Sequence, residues 1–275
     1  MIRRMAGFTL VEAILVIVIT GILAGIVAVF IVRPVQGYVD TVGRADLTDA
    51  ADTALRRITR DVRTALPNSL RAPNPASNSC FEFLPTVGGG RYRAAYRSDG
   101  TGDPLDFSTA DTAFDVLVSD NLTTAMFANT YHAVIYNLGI AGADAYDAIT
   151  NPTNTNRAQI KSTSTAANIV LNAGNKFPFE SPGKRFHVIP DFSVVYSCSE
   201  NNLLRSIRTP IPLAPLAACP AAGTVLVSNV DCTQTTFNYT PAVSQRNGLL
   251  TITLVLTQSG ESVRLYDEVH VNNVP

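Results

Sequence analysis

The sequence has little charge and no marked excess of either sign. Charged residues make up 16% of its 275 residues, and the formal net charge is −1 at pH 7. Proteins that bind nucleic acid usually carry a basic patch or a high isoelectric point. The isoelectric point of about 6.3 therefore gives no general electrostatic case for a nucleic-acid-binding protein.

Several motifs that position reactive groups are missing. No Gly-x-Ser-x-Gly sequence frames a nucleophile, and no Cys-x-x-Cys pair supports a zinc site or a thioredoxin-like centre. The triplet at 88–90 lacks the Lys-Ser/Thr of a phosphate-binding loop, which predicts an ordinary loop between strands. The three histidines lie in strand-like segments and show no metal-site spacing: His132, His187 and His270. These absences favour a protein that is not an enzyme and holds no cofactor.

What the sequence does contain is one long apolar segment near its start. The run 8–32 is interrupted only by Glu12, and it is long enough to cross a bilayer as a helix. A charged side chain costs about 2.5–3.5 kcal/mol at the bilayer centre on insertion scales, so we expect Glu12 to have a partner. Arg3 and Arg4 precede the run, which places them in the cytoplasm and the following chain outside it.

The hexapeptide Gly7-Phe8-Thr9-Leu10-Val11-Glu12 resembles the class III signal of type IV pilins and type II secretion pseudopilins. The resemblance implies that prepilin peptidase cuts between Gly7 and Phe8 and that the new α-amine of Phe8 is N-methylated. It also implies that Glu12 of one subunit pairs with the amine of a neighbour. Two charges that are costly in lipid become tolerable when they form a well hydrogen-bonded pair. An ordinary secretory signal, with 24–28 as its cleavage region, and a plain single-span anchor are the alternatives.

Helical periodicity resumes after Pro34 and continues to Leu66, where Pro67 stops it. Acidic residues come early in this second half and arginines late, which complements the helix dipole. The sequence therefore predicts one helix over 8–66, with a strained point near Pro34 and a transmembrane part at 8–32. A leader at 1–7 precedes it.

Short alternating segments separated by turn residues follow, which is typical of β-structure. The predicted strands are 80–84, 92–96, 114–119, 133–138, 168–171, 185–189, 193–198, 203–209, 235–239, 249–258 and 262–271. The last two form a hairpin around Ser259-Gly260, and 193–198 and 203–209 form a second around Glu200. Long loops are expected at 139–164 and 210–223. The predicted fold is α+β, with a β-rich extracytoplasmic head at 67–275.

The four cysteines agree with an oxidising compartment and allow three disulfide connectivities. We favour Cys219–Cys232, which closes a short surface loop, and this choice leaves Cys80–Cys198.

The loop 99–106 offers a weak candidate for a calcium site, through the carboxylates of Asp99, Asp103 and Asp106. Calcium prefers such oxygen ligands, but the loop lacks the spacing of an EF-hand. A plain Asp/Gly/Pro turn is the alternative.

Segments 80–86, 89–93 and 265–275 resemble the MshO family, J-like minor pilins of the mannose-sensitive haemagglutinin (MSHA) type IV pilus. This resemblance implies a structural subunit that primes assembly at or near the filament tip and assists adhesion. Its partners would be other minor and major pilins, the prepilin peptidase and the inner-membrane assembly platform, with no nucleic acid. The subunit would span the inner membrane once, hold its head in the periplasm, and then enter a surface pilus.

Three other functions stay open at this point. A J-type pseudopilin in the tip complex of a type II secretion pseudopilus would carry the same N-terminus. A membrane-anchored periplasmic enzyme or binding protein would need a convergent polar pocket and would tolerate Glu12→Ala. A DNA-uptake pilin would need a basic, aromatic surface, for which Arg91, Tyr92, Arg93, Tyr96 and Arg97 are a weak candidate.

Overall fold

The computed structural model describes residues 7–147, 155–241 and 248–271. One long helix, α1 (Leu10–Arg63), precedes a β-rich head, so the fold is α+β as predicted. The helix starts after Thr9, whose hydroxyl caps it, and ends where the Thr64 N–H bonds to Asp61 O instead of continuing the helical pattern. It continues through Pro34. Arg3, Arg4 and the rest of the predicted leader before Gly7 lie outside the described residues.

The described part of the head contains thirteen strands. In chain order they are β1 (Cys80–Phe83), β2 (Gly88–Tyr92), β3 (Asp111–Asp120), β4 (Tyr131–Ile135), β5 (Arg157–Gln159), β6 (Asn168–Asn175), β7 (Arg185–Pro190), β8 (Ser193–Ser199), β9 (Asn202–Arg208), β10 (Thr224–Ser228), β11 (Thr236–Thr240), β12 (Gly248–Gln258) and β13 (Glu261–Val271). They form three antiparallel sheets, with the orders β1-β8-β9-β10, β11-β12-β13 and β5-β4-β7-β2-β3-β6.

The six-stranded sheet closes on itself. Its two edge strands meet through a bridge between Ile160 and Leu171, and the Lys161 N–H donates to Val170 O at 2.8 Å. Closure removes unpaired sheet edges and leaves an interior for side chains. The barrel core is aromatic and includes Tyr92, Phe114, Phe177 and Phe186, all fully buried.

The second half of α1 packs on the other two sheets. Its buried side chains recur at three- and four-residue steps, which confirms the predicted amphipathic pattern: Leu47, Ala51, Ala54, Leu55, Ile58 and Val62. They meet the inward side chains of β12, where Leu250, Ile252, Leu254 and Leu256 are all fully buried. The strict alternation in β12 therefore fixes which face of its sheet meets the helix.

Both predicted hairpins are confirmed. Strands β12 and β13 are joined by Ser259 and Gly260, with φ of 53° and 87°, and β8 and β9 by Glu200 and Asn201, with φ of 48° and 61°. Two successive residues with positive φ match the twist of the strands they connect, which is why such loops favour Gly and Asn.

The glycine triplet at 88–90 is not the loop that the sequence predicted but the core of β2. A Cβ on Gly89 would lie 2.5 Å from Phe186 O, and one on Gly90 would lie 2.3 Å from Val118 O. Only glycine lets the three backbones approach so closely, so the triplet is a packing requirement. The predicted strand at 92–96 is also wrong, because the pairing of β2 with β3 ends at Tyr92. Sequence periodicity also missed the short strands β5 and β10.

The predicted disulfide pairing is wrong. The structure has Cys80–Cys219 and Cys198–Cys232, in place of Cys219–Cys232 and Cys80–Cys198. The register explains the difference, because Cys80 of β1 lies opposite Ser197 of β8, so Cys198 points to the other face of that sheet. Each cysteine therefore bonds to a different segment on its own face.

Candidate assembly site at the N-terminus

The predicted cleavage point precedes the first turn of α1. Gly7, Phe8 and Thr9 are not helical, and the Phe8 ring is 77% exposed. The Thr9 hydroxyl accepts a hydrogen bond from the Glu12 N–H at 3.2 Å, and Thr9 O accepts from the Ala13 N–H at 3.1 Å. Because the cap fixes where the helix begins, the Gly7–Phe8 bond lies in non-helical, accessible backbone.

Glu12 occupies the third position of the helix that Thr9 caps. Thr-x-x-Glu is the sequence pattern of a capping box, and a carboxylate in the first turn is favoured by the positive end of the helix dipole. Among the described residues, no side chain pairs with the Glu12 carboxylate. The Thr-x-x-Glu pattern is present in the sequence, but the predictions made from the sequence do not include this helix cap.

In the first half of α1, every residue whose side chain the structure describes is exposed. None of its most apolar window is buried, and the mean hydropathy there is 3.1. Leu10, Phe30 and Ile31 are each more than half exposed. The helix is long and apolar enough to cross a membrane, and this much exposed apolar surface requires either lipid or other helices to cover it.

Hydroxyl groups of α1, in its apolar half and shortly after Pro34, bond to the helix itself. The Thr20 hydroxyl donates to Val16 O, and the Thr41 hydroxyl donates to Gly37 O at 2.7 Å. Because each donor bonds one turn back, these side chains expose no unsatisfied polar group to an apolar environment.

Polar contacts join the other half of α1 to the head. Asp61 Oδ2 accepts from the Tyr196 hydroxyl at 2.7 Å and from Arg205 Nε at 3.0 Å, while Arg57 Nε lies 3.2 Å from Asp61 Oδ1. Burial and the bond to Asp61 raise the pKa of Tyr196, and Asp61 raises the pKa of Arg57. The cluster ties the helix to β8 and β9, so the exposed half projects from an anchored base.

The weak calcium candidate is not supported. Asp99 accepts from the N–H and hydroxyl of Thr101, and Asp106 accepts from the N–H and hydroxyl of Ser108. Such bonds favour the ionised form and lower the pKa of Asp106 to about 2, whereas burial raises the pKa of Asp103. No group of three or more potential metal ligands occurs in 7–147, 155–241 and 248–271. These carboxylates stabilise turns, which was the alternative interpretation.

The basic, aromatic cluster at 91–97 does not form one surface. Tyr92 is fully buried in the barrel, and Arg93 Nε lies 3.0 Å from Asp115 Oδ2. Tyr96 is exposed, but a platform on which successive bases stack needs more than one exposed ring, so this segment does not support a DNA-uptake site.

The histidines are parts of sheets. His132 in β4 is 3% exposed and His187 lies in β7, while His270 is exposed on β13, with Asp267 on the opposite face as predicted. Burial, reinforced by the charge of Arg157, lowers the pKa of His132 to about 4 against a smaller opposite effect of Asp191.

We expect the protein to lose stability as the pH falls from 6.5 to about 4. In that range the unfolded chain binds a proton at His132 that the folded chain does not, so the free energy of unfolding falls by up to about 3 kcal/mol. Above pH 6.5 both states leave this histidine neutral, and the contribution vanishes. Denaturant titrations at several pH values should show a weaker pH dependence for His132→Gln, whereas His270→Gln, on the exposed face, should keep that of the wild type.

Comparison with protein families agrees with the N-terminal geometry. Residues 2–28 match the prokaryotic N-terminal methylation motif. Comparison with curated proteins and with solved structures gives no match. The matched segment ends within the apolar half of α1, so it bears on the anchor and not on the head. Together, the motif and the exposed apolar helix support a type IV pilin-like structural subunit, from either a pilus or a pseudopilus.

Proposed function

We propose that the chain is a minor pilin of an MSHA-like type IV pilus, which primes assembly and lies at or near the filament tip. The observation that carries this proposal is the Glu12 carboxylate, which has no ionic partner in the described part of the chain. It lies in the first turn of an exposed apolar helix, directly after the bond expected to be cleaved. In a plain anchor this charge stabilises only the first turn of the helix and is costly in lipid, whereas an assembling helix can also use it to select a partner.

The exposed half of α1 serves two environments in turn. From Leu10 to Arg44 the helix extends about 50 Å, at 1.5 Å per residue. In the inner membrane, lipid covers its apolar side chains, and in the filament the same side chains are covered by neighbouring helices. Moving a large aliphatic side chain out of water is worth about 1.5–3 kcal/mol. Lipid and neighbouring helices both keep these side chains out of water, so the transfer from membrane to filament costs little.

Charge pairing then selects the register of the incoming subunit. Cleavage before Phe8 creates an α-amine four residues before Glu12, in the non-helical segment ahead of the helix. The Thr9 cap bonds to the Glu12 N–H and leaves the Glu12 carboxylate exposed. The carboxylate of one subunit and the amine of the next can therefore meet when their helices are offset along the axis. A buried pair of this kind is stable only with good geometry, which makes it a selective contact.

The head supports a position at or near the tip. Besides the two sheets that pack against α1, the head contains a closed barrel, which packing against the helix does not require. Bulk of this kind is harder to accommodate in a densely repeated shaft. Its two disulfides suit the oxidising periplasm in which such a head would fold before assembly, and adhesion is a further proposed role.

A J-type pseudopilin of type II secretion is the second candidate, because the methylation motif belongs equally to both systems. Deleting the gene in the native host distinguishes the two. Loss of surface filaments with normal protein secretion supports the pilus, and the reverse supports the pseudopilus.

Glu12→Ala in the native host is expected to leave the leader cleaved but to reduce surface filaments at least tenfold. Mass spectrometry of the N-terminal peptide reports cleavage, and electron microscopy with antibodies to the head reports filaments. Glu12→Asp keeps the charge and is the matched control, with an expected partial recovery. Wild-type cleavage together with wild-type filaments in Glu12→Ala would show that assembly does not use this pair.

A further inference from the structure

Strand β13 is a long, regular sheet edge. It has 11 residues, against five or fewer in β1, β10 and β11, the other edge strands of the two smaller sheets. Its register with β12 runs from Glu261 to Val271 without a bulge. Natural edges are usually short, bulged, or protected by Pro, Lys or inward-pointing charges. β13 is long and has no bulge, Pro or Lys, and its inward-facing charge, Asp267, lies beyond Tyr266 and bonds to Thr59.

The hairpin determines which backbone groups face outward. The two-residue loop makes Gln258 and Glu261 a hydrogen-bonded pair, and such pairs alternate with unbonded ones along an antiparallel ladder. The N–H and C=O groups of Ser262, Arg264 and Tyr266 therefore point away from β12. Within the described ranges, they make no other backbone hydrogen bond. Beyond them the edge is closed, since the Glu268 N–H donates to the Asp267 carboxylate.

A groove of about 630 Å³ runs between this edge and α1. The helix and the strand run side by side, because Arg44 meets Glu261 at one end and the Thr59 hydroxyl donates to Asp267 Oδ2 at the other. The helix wall carries a stripe of Asp52, Arg56, Arg60 and Arg63, at spacings of four, four and three. A strand added to β13 would lie against this stripe.

The stripe has unused positive charge. Arg56 Nε is 2.7 Å from Asp52, but Arg60 and Arg63 are exposed and have no ionic partner among the described residues. A second groove, of about 670 Å³, continues past Arg63 along the glycine strand β2 and is lined by Arg91 and Arg185, which also lack ionic partners in that part of the chain. The two grooves form one path whose lining is net positive, on a chain whose net charge is −1. Its charged residues are five arginines, Arg56, Arg60, Arg63, Arg91 and Arg185, and three aspartates, Asp52, Asp120 and Asp267.

We propose that this path binds an extended, acidic polypeptide segment of a partner protein, which adds to the edge of β13 as a further strand. Backbone pairing with Ser262, Arg264 and Tyr266 supplies affinity for any extended chain. Alternate side chains of the added strand face the helix, where carboxylates meet Arg60 and Arg63, so charge supplies the selection. This proposal does not depend on the function proposed above.

The test uses the full chain in non-ionic detergent micelles and a blocked eight-residue peptide in which aspartate alternates with threonine and valine. Alternation places every carboxylate on one face of the strand. We expect fluorescence anisotropy to detect binding in the micromolar range, weakened about fivefold by Arg60→Gln and by Arg63→Gln. Arg97→Gln, outside both grooves, is the control and should not change it.

Backbone pairing has its own test. Arg264→Pro removes one outward N–H and should weaken binding at least tenfold relative to Arg264→Ala, which removes only the side chain. If Arg264→Pro does not fold, the same peptide N-methylated at alternate amides takes its place and should not bind the wild type. Hydrogen exchange at Ser262, Arg264 and Tyr266 should slow when the unmethylated peptide is added.

Two results would overturn the proposal. The first is no binding of the acidic peptide up to 1 mM, as an order-of-magnitude limit for a useful contact. The second is equally tight binding of the N-methylated peptide or of heparin. Neither can pair with a strand edge, so such binding would indicate a general polyanion site.

Discussion

Replacing Glu82 by glutamine is expected to lower the free energy of unfolding by about 3–5 kcal/mol. The Glu82 side chain is fully buried in β1, where its carboxylate faces two arginines. Arg71 Nε lies 2.9 Å from Oε2, Arg208 Nη1 lies 2.9 Å from Oε1, and the Ser193 hydroxyl also donates to Oε1. Removing the one negative charge leaves two partly buried guanidinium groups without compensation.

The effect should extend beyond β1, because Arg71 also holds the long loop at 210–223. Its guanidinium donates to the carbonyl oxygens of Pro212, Leu213 and Ala214, and it lies 3.4 Å from the centre of the Tyr146 ring. Glu82 orients Arg71 for all of these contacts. In the glutamine variant, the loop should therefore become more sensitive to proteases, in addition to the global loss of stability.

Urea titration of the full chain in non-ionic detergent, followed by circular dichroism, measures the change. Glu180→Gln is the matched control, since Glu180 forms an exposed ion pair with Lys184 and its loss should cost less than about 1 kcal/mol. If Glu82→Gln and Glu180→Gln were equally stable, the buried cluster would contribute little and the loop would be held by its other contacts.

The features that could be predicted from the sequence are those set by neighbouring residues. Apolar spacing predicted the helix. The helix ends at Arg63, three residues before the predicted end, because the Thr64 N–H bonds to Asp61 O and closes the last turn. Alternation in β12 and the Ser259-Gly260 turn gave the last hairpin. Gly7, Phe8 and Glu12 form a continuous motif, which is why the candidate site was accessible to sequence reasoning at all.

The features that escaped prediction depend on contacts between distant segments. Asp61 meets Tyr196 and Arg205 across more than 130 residues, and nothing near Asp61 signals either partner. The glycines of β2 look like a loop until Phe186 and Val118 occupy the space that their side chains would need. Short strands such as β5 have too few residues to show a period, so their pairing is decided by the closed sheet.

The disulfides show the same limit and give the second large expected effect. Loop length favoured Cys219–Cys232, but the alternation of side chains in β8 excludes the Cys80–Cys198 bond that this choice leaves. The structure pairs Cys80–Cys219 and Cys198–Cys232, which span 139 and 34 residues. In the chain-entropy model, the longer closure restricts the unfolded chain more, and the two bonds stabilise the fold by about 5 and about 4 kcal/mol. We therefore expect Cys80→Ser/Cys219→Ser to be the more destabilising pair of substitutions.

Two measurements test this expectation. Mass spectrometry of a non-reduced digest should identify a Cys80–Cys219 peptide and a Cys198–Cys232 peptide. A Cys80–Cys198 peptide would contradict the register of β1 and β8, and any other pairing would contradict the structure around Cys219 and Cys232. Urea titration should then place the Cys80→Ser/Cys219→Ser variant about 1 kcal/mol below Cys198→Ser/Cys232→Ser. The reverse order would mean that native-state packing around Cys198, within the core beneath α1, outweighs the entropy of the unfolded chain. In that case Cys198→Ala/Cys232→Ala, which places no hydroxyl in that core, should recover part of the difference.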